Sequence, residues 1–190
     1  MRTQQAVLAL VVLTAMSAIF VGVSQAQAPA RAATPPKAVA GKATAMPIQA
    51  NLGQLMKGVF YPNSNVIFFA QSQDPAKVNG TQESSTATDP LQSAYGKWEA
   101  VENSALALTE VANLLTIPGR KCANGRDMPL RNADWAKLVQ GVREAGMQAY
   151  KAAQAKDQDK ILDAADTLTT ACANCHDKYR EKEKLADRCM

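Results

Sequence analysis

Histidine occurs once in this 190-residue chain, at position 176, and aromatic residues make up only 5% of it. A single histidine rules out any site that needs two imidazoles from one chain. So few aromatic side chains, set against abundant alanine, argue for helices over sheets. A dominant charge of one sign is also lacking. The formal net charge is +4, with basic and acidic residues interspersed and no basic stripe of the kind that tracks nucleic acid. No internal repeat is present. No acid, base and nucleophile stand in a pattern that suggests an enzyme.

Long apolar runs are confined to one, Ala6 to Val23. It follows Arg2 and ends in Ser24-Gln25-Ala26-Gln27-Ala28, the layout of a secretory signal peptide. Cleavage after Ala26 satisfies the small-residue rule through Ser24, whereas cleavage after Ala28 would leave Pro29 at the new N-terminus. Residues 1–26 are therefore expected to be a leader and the body to be periplasmic or otherwise exported. The run is near the lower limit for spanning a bilayer. An uncleaved leader is the one arrangement that would bring the chain to a membrane, and it too puts the body outside the cytoplasm. Residues 27–47, rich in Ala and Pro and free of aromatics, cannot build a core and read as a tether. Residues 48–190 suit one domain with one core.

Within that domain Ile48, Leu52, Leu55 and Val59 predict a short helix that carries Met56 on its shoulder and ends before Pro62. Asn63 to Asp89, with the turn signals Asp74-Pro75 and Asn79-Gly80, reads as a long loop partly docked through Val66 to Phe69. Asp89-Pro90 is a helix start, and Leu91, Tyr95, Trp98, Val101, Ala105, Leu108, Ala112 and Leu115 follow at steps of three or four up to Pro118-Gly119. Trp135, Leu138, Val142, Gly146, Ala149 and Ala153 mark the next helix. Gly141 and Gly146 within it weaken helix propensity, which points to close packing against a neighbour or a flat ligand. After a turn at Lys156 to Asp159, with Asp157 or Asp159 as cap, Ile161, Ala165, Leu168, Cys172, Cys175 and Tyr179 form the last stripe. The predicted class is all-α: an antiparallel four-helix bundle.

Cys172-Ala173-Asn174-Cys175-His176 has the spacing by which haem c is attached. Residues three and four apart share a helix face, so two sulfurs can reach two vinyl groups while the imidazole rises under the iron. His176 is then the proximal ligand of one covalently bound haem c. The competing readings are a redox dithiol, which would want a strand before its helix, and half of a zinc site, for which only Cys122 and Cys189 remain as further cysteine ligands.

Cys172 to Arg180, together with Leu55-Met56-Lys57-Gly58, resembles the cytochrome c-prime family, whose attachment motif lies in the last helix of a bundle. The resemblance covers about Ile48 to Leu185, and the Asn63 to Asp89 insert is not typical of it. In that family the first helix crosses the distal face of the haem, either with a Met as sixth ligand, as in the electron carriers, or with a bulky apolar residue that leaves the iron five-coordinate. Met56 matches that position, so the resemblance implies His176 and Met56 as iron ligands, the alternative being Met56 as a core residue. Family members tend to carry a basic residue near a propionate one turn earlier, where this chain has Leu52, so that charge must be met elsewhere. Arg180 matches a basic position close to the proximal histidine and would tune the imidazole electrostatically; otherwise it is a solvated charge in the run Asp177 to Lys184. The ordinary small cytochrome c fold takes its Met from downstream of the motif, and the only Met after His176 is Met190.

Haem uses two of the four cysteines. In an oxidising compartment the other two, Cys122 and Cys189, are more readily bonded than free, and in an up-down-up-down bundle they lie at the same end. The expectation is thus a non-enzymatic electron carrier between redox partner proteins. A five-coordinate binder of diatomic gases, with Leu55 or Phe60 setting access, and a redox subunit docked through the tether and the Val66 to Phe69 segment are the alternatives. Bundles of this type often pair through exposed helix faces, which leaves a homodimer open. N-terminal sequencing of the exported protein is expected to begin at Gln27; a chain that keeps Met1 in the membrane fraction contradicts the cleavage.

Overall fold

The computed structural model describes residues 47–78, 89–93 and 95–189. The leader, nearly all of the tether, the Asn79-Gly80 turn and Met190 lie outside the described residues. Within them the fold is all-helical. Helix α1 (Leu52–Leu55) runs through a π-helical turn, Met56–Phe60, straight into α2 (Tyr61–Ser72). Helices α3 (Lys97–Val111), α4 (Trp135–Gln154) and α5 (Gln158–Tyr179) follow. Helix α2 packs on α3 and α5, α3 on α4, and α4 on α5, so the four close a ring around one core.

That core is made of Ile67 and Ala70 from α2, Val101, Ala105 and Leu108 from α3, Ala145, Ala149 and Ala153 from α4, and Ile161, Ala164, Ala165 and Leu168 from α5, all essentially removed from water. Helix α4 contributes small residues, which let it approach α3 closely. A Cβ on Gly146 would fall inside the van der Waals contact of Thr109 Oγ1, with Ala105 O and Thr109 N only 3.1 Å away. The expected close packing is thus met at Gly146, while Gly141 has nothing within 4 Å of its would-be Cβ. The indole of Trp135 donates to Leu115 O at 2.9 Å, and the Gln158 amide donates to Ala70 O at 2.6 Å.

Two expectations from sequence need correction. The first helix does not end before Pro62; it continues to Ser72, so what read as a docked loop is largely helix, with Val66, Ile67 and Ala70 buried. Proline has no N–H and its ring crowds the carbonyl four residues back. Here the ladder has already slipped before it arrives, since Tyr61 N–H bonds to Met56 O in π geometry and Pro62 falls in the first turn of α2. The Asn63 side chain then donates to Val59 O at 2.7 Å. The second correction concerns Asp89-Pro90. Asp89 does cap, accepting from Leu91 N–H at 2.9 Å, but it starts only the 3-10 turn Pro90–Gln92. Buried Gly96, where any side chain would strike the Leu91 and Ser93 carbonyls, and Lys97 at φ 58° separate that turn from α3. Tyr95 accordingly leaves the stripe and is 69% exposed.

The remaining boundaries agree with the sequence reading. Helix α3 tightens into a 3-10 turn, Ala112–Thr116, before Pro118, and Gly119 takes φ 91°. Asp157 caps α5 by accepting from Lys160 N–H at 3.0 Å. Gly146→Ala is expected to destabilise the fold by about 1–3 kcal/mol through overpacking, whereas Gly141→Ala in the same helix should stabilise it by about 0.5–1 kcal/mol. Thermal melts of the two variants check the contrast.

Candidate cofactor attachment site

Helix α5 changes character along its length. Ile161, Ala164, Ala165 and Leu168 are wholly buried, but Cys172, Cys175 and His176, one to two turns further on, are only half-buried before Tyr179 closes the stripe. The apolar face of the bundle therefore opens at the motif. Both thiols are free. Burial raises the pKa of Cys172, and it pushes Cys175 up to about 11, helped by the neighbouring Cys172 and Asp134. Redox dithiols carry a thiol whose pKa is depressed; these two are shifted the other way. Burial lowers His176 below the usual imidazole value, and the Arg180 guanidinium pushes in the same direction against Glu181 and Asp177. The ring is neutral at pH 7 and keeps a lone pair for a metal.

Arg180 lies close enough to act electrostatically on both His176 and Cys172, while its guanidinium pairs with Glu181 at 2.5 Å. Helix α5 ends just there, with Arg180 N–H and Glu181 N–H both donating to His176 O at 2.7 and 2.8 Å. Among the described residues no group of three His, Cys, Asp or Glu side chains is gathered around one ion-sized point. Cys172, Cys175 and His176, spaced three and four residues apart, share one face of α5.

Two further contacts hold the motif's end of the bundle, and neither was foreseen from sequence. Asp134, just before α4, accepts from Tyr179 Oη at 2.8 Å and pairs with Lys178 at 2.5 Å. The Tyr179 ring meets Trp135 edge-on, with centroids 5.0 Å apart. The other is buried Arg120, which donates through Nε to Leu114 O at 3.1 Å and through its guanidinium to Ala50 O. Beside it Lys121 O accepts from Leu52 N–H at 2.8 Å, fastening the start of the first helix. Cys122 and Cys189 come together as expected, with sulfurs at bonding distance and Cα atoms 4.8 Å apart, while Cys189 N–H donates to Tyr179 O. Asn124 adds hydrogen bonds to Ala186 O and Arg188 O. One loop, Arg120 to Met128, thereby grips both the start of the Met56-bearing helix and the tail that follows α5.

Met56 is half-buried against the core at the first residue of the π turn. Leu55 and Phe60, considered above as gates over the iron, are both core residues. A cleft of about 300 Å³ opens beside the disulfide, lined by Asn132, Lys178, Tyr179 and Arg188 among others; the motif residues Cys172, Cys175 and His176 do not line it. Compared with family models, curated proteins and solved structures, the chain matches none of them.

The Lys178 ammonium and the Tyr179 hydroxyl, in that order, lower the Asp134 pKa. A carboxyl with a depressed pKa contributes stability above its unfolded value and loses it as pH falls through the folded one. Asp134→Asn is expected to lower the thermal midpoint at pH 7, and the gap from wild type should begin to narrow near pH 3.8, the ordinary aspartate value, and close as pH falls through the lower folded value. A gap of constant size across that range contradicts the ion-pair account.

Proposed function

We propose that the chain is an exported mono-haem c-type cytochrome of the cytochrome c-prime kind, built as an antiparallel four-helix bundle, and that it carries one electron at a time between redox partner proteins. The carrying observation is that Cys172, Cys175 and His176 share the half-buried face of the last helix, where its fully buried stripe opens. Cys172 and Cys175 would hold haem c through thioethers, and His176 would ligate its iron. When bound, the group supplies a ferric/ferrous couple; the protein supplies ligands, burial and surface recognition.

Several contacts support the antiparallel arrangement. Thr109 meets Gly146 and Leu115 meets Trp135, so partners advance along α3 as they retreat along α4. Asp134 at the start of α4 meets Tyr179 at the end of α5. From the Gln158 to Ala70 hydrogen bond, Met56 lies fourteen residues back along the first helix and Cys172 fourteen forward along α5, which in antiparallel helices is about 20 Å the same way along the bundle. The loop that grips the start of one helix and the tail of the other supports the same register. This is the support for Met56 as sixth ligand, a thioether that raises the potential of a histidine-ligated haem. Arg180, which disfavours a second proton on His176, helps keep the imidazole a ligand.

Loss of Arg2 with the leader leaves a net charge of +3, and two ionised propionates reduce it to near +1. Long-range steering is then weak and recognition of a redox partner, or of a second copy, is local. The reading has no role for nucleic acid and none for catalysis. Ferric protein is expected to show a low-spin spectrum with a methionine-to-iron band that Met56→Ala abolishes, and ferrous protein should bind carbon monoxide slowly. A high-spin ferric spectrum with ready carbon monoxide binding makes Met56 a core residue and the protein a five-coordinate gas binder.

A further inference from the structure

Resting on the reading of Met56 as an iron ligand, we infer that Pro62 is a positioning residue for that ligand: it pins the π turn Met56–Phe60 and so sets the backbone from which the Met56 thioether projects. The first helix is held at two places. Upstream, Asn51 and Gln54 form a reciprocal cap with both hydrogen bonds at 2.9 Å, Leu52 N–H is bound by Lys121 O, and Ala50 O is bound by Arg120. Downstream, Val66, Ile67 and Ala70 are buried where α2 packs on α3 and α5, and Gln158 holds Ala70 O. Between the two holds the chain carries a residue more than a regular α-helix accommodates, and the surplus is taken up as the π turn.

Backbone hydrogen bonding alone does not say where such a surplus must sit, because a π turn can slide along a helix by exchanging one carbonyl partner at a time. Pro62 decides the place. In regular α geometry its ring would crowd Gly58 O and offer it no donor. With the slip immediately before it, Tyr61 N–H reaches Met56 O, the Asn63 side chain covers Val59 O at 2.7 Å, and Gly58 stays exposed with open space around its Cα. Met56, as the first residue of the turn, has its carbonyl tied five residues ahead and not four. Without Pro62 the surplus is free to move towards Ser72, Met56 relaxes into ordinary α geometry, and its thioether shifts.

The test is Pro62→Ala in the full haem-bearing protein. Far-ultraviolet circular dichroism and the thermal midpoint should be unchanged or improved, because alanine replaces a poor helix former. The methionine-to-iron band should nevertheless fall to about half or less as a second conformer without the ligand is populated, and carbon monoxide should associate faster. Amide exchange at Phe60 and Tyr61 should change with it. Asn63→Ala, which keeps the proline and removes only the cover on Val59 O, should weaken the band in the same direction and by less. A wild-type band that Pro62→Ala leaves at full intensity overturns the inference and leaves the proposed function standing; a wild-type spectrum with no such band overturns both.

Discussion

The start of the Met56-bearing helix and the tail beyond the Cys172 to His176 motif both hang on one short stretch of chain, Arg120 to Met128. Its backbone and side chains take hold of the start of the first helix through Lys121 O and the Arg120 guanidinium, and of the tail beyond α5 through Cys122 and Asn124. The bond between Cys122 and Cys189 spans 67 residues, and loop closure of that size removes about 4 kcal/mol of freedom from the unfolded chain. Its local effect matters as much. It prevents the residues after Tyr179 from fraying away from the turn that carries His176. Buried Arg120 acts similarly from the other side, since a guanidinium withdrawn from water must satisfy its donors, and here the acceptors are carbonyls of two different segments.

The motif's chemistry follows from where along α5 the burial changes. Had Cys172, Cys175 and His176 continued the fully buried stripe of Ile161 to Leu168, there would be no face for a flat group. Fully exposed, the thiols would titrate nearer their ordinary range and the imidazole would protonate more readily. Half-burial raises both thiols and lowers the histidine at once. The proposed attachment of haem c rests on that shared, half-open face.

The sequence made the periodic and the chemical features legible. Stripes at steps of three and four located α3, α4 and α5, the cap of α5 was narrowed by residue type to Asp157 or Asp159, and pairing of Cys122 with Cys189 was expected for the two cysteines outside the Cys172 to His176 motif. What escaped was decided by contacts across space or by an exception to a local rule. Pro62 reads as a helix stop, and only the π slip before it lets the helix pass. Asp89 reads as the cap of a long helix, yet Gly96 packed on the Leu91 carbonyl breaks the path. Asp134 and Arg120 act on partners tens of residues away and carry no local pattern that separates them from surface charges.

The central claim is covalent haem at Cys172 and Cys175, and intact-mass measurement of the exported protein tests it most directly. The account predicts the polypeptide mass plus one haem after treatment with reductant and acid acetone, which removes non-covalent haem, with Cys172 and Cys175 closed to alkylation. A bare polypeptide mass with both of those cysteines alkylated would contradict it.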